Sequence, residues 1–269
     1  MGIKHFIHEK IKEFNPLDLE TFRMEVKNLP QNFEGFRMVH ISDTHLPRMA
    51  VLSGYLTYRV KQQNPDIILL TGDIVDRPAQ VMTSGMKQLC KKLAKIAPTY
   101  AISGNHETTS GQIKDWYKVL EQTQVKLLDN RHHLIIRDGG SMALIGLEDN
   151  LPYQTDFIDH PEIRESFFRL LLVHRPHHWE KHYPQDEGLA PHLILSGHVH
   201  GGQVRLPFIG GLFSPDTGFF PKYDSGMYRT ATQGKLIVSR GLVSAIKPVR
   251  INNRPHMPVI ILTKATDSE

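Results

Sequence analysis

Short apolar runs at residues 36–41, 67–70 and 99–102 alternate with stretches of helical periodicity at 49–63, 80–96 and 112–122. The run 67–70 is apolar at every position, as expected of a strand buried on both faces. Asn64-Pro65 stops the first helical stretch. Strand, loop and helix therefore repeat three times, the pattern of βαβ units and a parallel sheet. Residues 21–27 alternate well enough for an edge strand.

The second half changes character. Residues 125–128, 134–137 and 141–147 read as short strands around the turn signal Asp138-Gly139-Gly140. Residues 170–173 and 193–195 are further short apolar strands, and 235–239 and 258–263 close the chain. Between Gly201 and Tyr228 runs a long Gly/Pro/aromatic segment with little periodicity. Its Phe208, Phe213, Phe219, Phe220 and Tyr223 are expected to seek burial, and a loop this long in one domain is usually functional. No repeat or linker divides residues 16–269, which read as a single domain. Ahead of it, residues 1–15 place Ile3, Phe6, Ile7, Ile11 and Phe14 at helical spacing, with Lys4, His5, His8, Lys10 and Lys12 mostly on the other face. Such a basic amphipathic helix either packs on the domain or lies on an anionic membrane surface.

Composition narrows the class. The 269 residues, 40% hydrophobic and 22% charged, suffice for a sizeable core. No apolar run approaches the ~20 residues that span a bilayer, and residues 1–15 lack the apolar stretch of a secretory signal. The expected location is cytoplasmic, with the inner face of the membrane as the peripheral alternative. A net charge of +4 suits an anionic substrate. No basic run is interleaved with aromatics, so no nucleic-acid partner is expected. The single Cys90 excludes an intrachain disulfide and sits in a helical pattern as a core thiol. Histidine is more telling: there are 16, and imidazole is the commonest metal ligand.

Each chemical block falls just after a strand, where loops project from a rigid frame. In order they supply Asp43 and His45, Asp73, Asn105 with His106, His174, and His198 with His200. The donors are carboxylate, amide oxygen and imidazole, with no thiolate among them. They are too many for one tetrahedral ion and suit two ions sharing a carboxylate. Taken singly, Asp73 could cap a helix and His174 could be a hydrogen-bonded core histidine. The whole set in sequence is hard to obtain by chance. Two adjacent divalent ions favour hydrolysis by a bridging hydroxide, commonly of phosphate esters. His106 follows Asn105 directly and reads as the general acid for the leaving group rather than as a ligand.

The order Asp43-Thr-His45, Gly72-Asp73, Gly104-Asn105-His106-Glu107, His174 and Gly197-His198-Val-His200 resembles the calcineurin-like metallophosphoesterase superfamily. That resemblance implies an α/β fold, a sandwich of two mixed β-sheets flanked by helices in four αββα layers. It implies one ion on Asp43, His45 and His200, a second on Asn105, His174 and His198, and Asp73 bridging both. A mixed oxygen and nitrogen set accepts Mn, Fe, Zn, Co or Ni, and the resemblance favours two Mn ions. The block Gly72-Asp73-Ile-Val-Asp76-Arg77 is similar to that of the serine/threonine phosphatase branch. By that analogy Asp76 orients His106 and Arg77 contacts phosphate. The first block lacks the preceding Gly and Pro78 follows the arginine, so a protein phosphatase is not expected.

The longer stretch Gly197-His-Val-His-Gly-Gly-Gln203-Val-Arg205-Leu-Pro207, with Phe220-Pro-Lys-Tyr223, Gly226-Met-Tyr228 and Ser239-Arg240-Gly241, resembles a narrower bacterial branch. That branch includes membrane- or envelope-associated phosphodiesterases and UDP-2,3-diacylglucosamine pyrophosphohydrolases. The implied substrate is an anionic phosphodiester or pyrophosphate, lipid-linked in the sharper version. The alternative is a broad-specificity soluble phosphodiesterase on nucleotides or aryl esters. Arg205 and Arg240 are candidate substrate contacts, within a rim that also holds Lys222, Lys247, Arg250 and Arg254. A non-catalytic scaffold on the same fold would be expected to lose His106 or ligands, and all are present.

Overall fold

The run 67–70 is apolar throughout because its strand is covered twice. Ile67 and Leu69 point into a core shared by two sheets, while Ile68 and Leu70 pack under helices. The computed structural model describes residues 17–150, 153–184, 186–214, 216–243 and 250–265. The amphipathic stretch 1–15 and Lys247 lie outside them.

The strands of the first half are β1 Asp18–Val26, β2 Arg37–Ile41, β3 Ile67–Thr71, β4 Thr99–Ile102, β5 Lys126–Leu127, β6 Arg131–Arg137 and β7 Gly140–Gly146. The second half adds β8 Phe168–Leu172, β9 Leu193–Ser196, β10 Arg205–Leu206, β11 Gly210–Gly211, β12 Phe213–Ser214 and β13 Gly218–Phe219. It closes with β14 Gly226–Arg229, β15 Lys235–Val238 and β16 His256–Lys264. Two six-stranded sheets result, ordered β1-β16-β2-β3-β4-β5 and β14-β15-β9-β8-β7-β6. Phe22, Met38, Leu69 and Ile260 of the first meet Met142, Leu144, Leu170, Leu195 and Ile237 of the second. Helices α1 Ser53–Gln62, α2 Met86–Ala94, α3 Asn105–Thr109 and α4 Ile113–Thr123 belong to the first half. Leu56, Val60, Leu89, Leu93, Trp116 and Leu120 from α1, α2 and α4 cover the outer face of the first sheet. On the far side, Ile163, Trp179 and Tyr183 cover Ile145, Leu171 and Ile194 of the second. The layers run helix, sheet, sheet, helix.

Both sheets are mixed, as the family resemblance implied, and the βαβ pattern accounts only for their parallel neighbours. Strands β2, β3 and β4 are parallel neighbours, with Met38 opposite Ile67 and Ile68 opposite Thr99. The final strand β16 enters antiparallel to β2, and β1 pairs parallel outside it as the expected edge. Periodicity fixes that a segment is a strand; the direction of a partner from the other end of the chain is a non-local choice. Helix α2 starts at Met86 rather than at residue 80, because Gly85 sits at φ 91° and separates it from the preceding turn. Cys90 is fully buried in the helical layer.

The expectation of burial fails for three aromatics of the long loop. Phe208, Phe219 and Phe220 are exposed, while Tyr223 is buried and Phe213 half-buried. The loop folds into two miniature hairpins, β10–β11 and β12–β13. Backbone bonds within the hairpins and to neighbouring segments, such as Arg205 N–H to the Ile251 carbonyl and Leu212 N–H to the Val204 carbonyl, hold the chain without a shared core of these side chains.

Candidate metal centre

Parallel neighbours end on the same side of a sheet, so β2, β3 and β4 deliver Asp43 and His45, Asp73, and Asn105 with His106 to one rim. Strands β8 and β9, also parallel neighbours, deliver His174, His198 and His200 from the second sheet. The shared inter-sheet core brings the two rims together. Asn105 and His106 open α3, a short helix that periodicity did not show. Asp43, His45, Asp73, His198 and His200 all have φ between 44° and 69°. Left-handed backbone at non-glycine residues is costly and gathers at functional sites. Glycines permit the crowding. A Cβ on Gly72, itself at φ 89°, would stand 2.6 Å from the Gly104 nitrogen, and one on Gly197 would stand 1.9 Å from Ser42 Oγ.

The donors fall into overlapping groups around Asp73. Asp43, His45 and His200 each offer one atom, all within 4.8 Å of one another, and so do Asp73, His174 and His198. His200 Nε2 lies 3.6 Å from Asp43 Oδ1, and His45 Nε2 lies 3.5 Å from Asp73 Oδ2. On the other side His174 Nε2 lies 3.3 Å from Asp73 Oδ2, 3.2 Å from Asn105 Oδ1 and 3.1 Å from His198 Nδ1. Asp73 Oδ2 thus faces both groups, and its Oδ1 accepts the His106 backbone N–H at 2.9 Å. His106 points its Nε2 to 3.9 Å from Asp73 Oδ2 and stays partly open to solvent.

Around this ring stand residues the sequence weighed differently. Asp76 Oδ1 is 3.1 Å from His106 Nδ1, but it also accepts from His45 Nδ1 at 3.2 Å and from Arg48 at 2.8 Å. The Arg77 backbone N–H donates to His106 Nδ1 at 2.9 Å, while the Arg77 residue is exposed. Glu107, quoted above only as part of a motif, is buried and accepts the backbone N–H groups of Asp73, Val75 and Gly104. One carboxylate therefore ties the β3 and β4 loops together, and its burial, with the Asp73 carboxylate nearby, pushes its pKa up to about 7 against the pull of those N–H groups. Arg205 and Arg240 are occupied elsewhere. Arg205 pairs with Asp224 at 2.9 Å and Arg240 with Asp18 at 2.5 Å, and Arg240 is nearly buried. Arg250 donates to the carbonyls of Arg240 and Val243. Of the proposed rim, these three arginines are knitted into the structure. Asp216, Arg175 and Asp149 form a linked set beside His198 that no sequence signal announced.

The field around Asp73 favours positive charge on His174 and His45, while burial pushes His200 down to about 3. Burial alone depresses an imidazole, yet Asp73 overcomes it and holds His174 up to about 10. At His45 burial is likewise outweighed, by the Asp76 hydrogen bond and by Asp73 and Asp43. Burial would raise the carboxyl of Asp73, but His174, His45 and His106 hold it well below its ordinary value. The His174 Nδ1–H donates to the Thr71 carbonyl at 2.7 Å, so Nε2 is the nitrogen turned toward the ring and the one that would bind an ion in exchange for its proton. His45 Nε2 is buried without a hydrogen-bond partner. A buried, unpaired imidazole nitrogen aimed at two carboxylates, in a field that attracts cations, is what divalent ions would satisfy. The residues present fit that group.

Comparison with known proteins agrees with this chemistry. The family model of the calcineurin-like phosphoesterases matches residues 36–202. The chain is 30% identical over 256 residues to the uncharacterized metallophosphoesterase YkuE of Bacillus subtilis, covering 92% of this chain and 86% of that one. It is 28% identical over 248 residues to the phosphodiesterase YaeI of Escherichia coli, covering 90% and 88%. Among solved structures, a 5'-nucleotidase precursor of Thermus thermophilus is similar at 15% identity and TM-score 0.48; the match covers 77% of this chain, which spans about half of that protein.

Proposed function

The chain belongs to the calcineurin-like phosphoesterase family, an enzyme family, and on that premise we propose that it is a phosphodiesterase or pyrophosphohydrolase working with two divalent ions. The observation that carries the two-ion reading is Asp73 Oδ2, which lies 3.5 Å from His45 Nε2 on one side and 3.3 Å from His174 Nε2 on the other. Asp43, His45 and His200 would hold one ion, Asn105, His174 and His198 the other, and Asp73 both. When bound, two such ions lower the pKa of a shared water and offset negative charge on phosphate oxygens. Manganese is our choice among the metals that this oxygen and nitrogen set accepts.

The remaining residues do the positioning and the proton work. His106 stands at the open edge of the ring, where it can give a proton to the departing oxygen. The Arg77 N–H donates to its Nδ1, which assigns the transferable proton to Nε2, the nitrogen on the Asp73 side. Asp76 holds His45 and Arg48 and stands 3.1 Å from His106 Nδ1, where its charge favours the protonated ring. Arg77, exposed and joined to His106 through its backbone N–H, is kept as the cation for a phosphate oxygen.

For the substrate we favour a lipid-linked nucleotide diphosphate such as UDP-2,3-diacylglucosamine. Supporting it, Phe208, Ile209, Phe219 and Phe220 stand exposed on hairpins that follow directly from His200. Exposed apolar side chains on a loop that reaches the centre through Asp216 suit an amphipathic substrate better than a small nucleotide. Peripheral membrane contact belongs to the same reading; among the described residues no helix is long and apolar enough to cross a membrane. The test is product analysis with Mn²⁺ on UDP-diacylglucosamine against an aryl phosphodiester. Efficient release of UMP supports the lipid-linked substrate, and turnover of the aryl ester alone rejects it in favour of a broad-specificity enzyme.

A further inference from the structure

The outer nitrogens of three candidate ligands end on oxygen acceptors. His174 Nδ1 meets the Thr71 carbonyl at 2.7 Å, His45 Nδ1 meets Asp76 at 3.2 Å, and His198 Nε2 meets Asp216 at 2.6 Å. The first two acceptors lie at the end of β3 and just after it, in the rigid frame. Asp216 comes from the 201–228 loop, in the turn between β12 and β13. It is also gripped by Arg175, whose Nε lies 3.1 Å from both oxygens of the buried Asp149. A line of contacts thus runs from His198 through Asp216 and Arg175 to Asp149.

We infer that Asp216 is a positioning residue. By accepting the His198 Nε2–H it fixes the tautomer whose Nδ1 lone pair faces His174 Nε2, 3.1 Å away, so the second ion position is complete only while the loop is docked on Arg175. Losing the outer acceptor of a ligating imidazole typically weakens metal binding ~10–100-fold. Occupancy of the centre is then coupled to the segment that carries the exposed Phe219 and Phe220. This inference rests on the two-ion reading.

The test compares Asp216→Ala and Asp216→Asn with the wild type in two measurements. Equilibrium dialysis against graded Mn²⁺, with metal analysis, counts ions per chain. Nitrogen-15 NMR of the imidazoles reads the His198 tautomer directly in the metal-free protein. Asp216→Ala is expected to keep the tighter ion, bind the other ~10–100-fold more weakly and lose the single tautomer. Asp216→Asn, whose amide oxygen accepts the same N–H, is expected to stay within a few-fold of wild type with the tautomer kept. Wild-type ion binding by Asp216→Ala overturns the inference and leaves the two-ion reading standing. Equal impairment of both variants also overturns it, since charge rather than the acceptor would then matter. A wild-type chain that binds a single ion overturns both.

Discussion

The metal cradle and the loop that follows it are neighbours in sequence, His200 against Gly201, yet they are built on opposite principles. In the cradle Asp43, Asp73 and His174 are almost fully buried, and every block hangs from a strand whose two faces are packed. Its backbone is held in left-handed conformations that only a rigid surround sustains. The loop has four two-residue strands and puts Phe208, Ile209, Phe219 and Phe220 into solvent. Contact density and strain go where reacting atoms must be fixed, and the loop leaves its apolar surface without packing.

The largest effect should come from the hub of the cradle. Asp73→Ala removes the carboxylate common to both groups, so turnover should fall to background and metal analysis should find both ions lost. A variant that keeps one ion tightly would show two independent sites instead of a shared one. Next is His106, which the cradle holds without burying. His106→Asn should retain both ions and lose ~10²–10⁴-fold in turnover. The loss should shrink for esters with acidic leaving groups, which need no proton; equal loss on all esters would remove the general-acid role.

The frame itself should fail in acid. His40 is fully buried on β2, its Nε2 bonded to Thr71 Oγ1 at 2.7 Å, and burial pushes its pKa down to about 3 from 6.5. The unfolded chain binds that proton first, so the stability His40 contributes is complete above pH 6.5 and is lost as pH falls toward 3. Thermal unfolding should show Tm dropping through that window, and a flat profile would mean that His40 gains a proton without opening the frame. The smallest effect belongs to the loop. Phe208→Ser with Phe220→Ser should leave stability within about 0.5 kcal/mol, as for other surface changes, and leave aryl diester turnover unchanged. The KM for the amphipathic substrate should rise several-fold. An equal rise for the aryl ester would make these side chains part of the frame.

Much of the frame was legible because its signals are local. Residues 67–70 announced a strand covered on both faces, and Gly72-Asp73 and Gly104-Asn105-His106 fall at strand ends where side chains converge. The structure brings all seven candidate ligands together. Asp216 was not legible, because an aspartate in an aperiodic loop looks like any solvated one until Arg175 and His198 are placed beside it. Glu107 was visible as a letter in a motif but not as the carboxylate that ties three backbone N–H groups. The exposed phenylalanines misled, since hydrophobicity states what a side chain would gain by burial and not whether a surface is available.

By itself the sequence determined the reaction chemistry on offer, the α/β layering and the places where ligands leave their strands. Each of these depends on spacing within one short segment. Tertiary structure decided the antiparallel entry of β16, the sharing of Asp73 between two sheets, the capture of Arg205 and Arg240 by Asp224 and Asp18, and the docking of Asp216 on His198. Those are meetings between segments far apart along the chain. They are settled by packing, which no local pattern encodes.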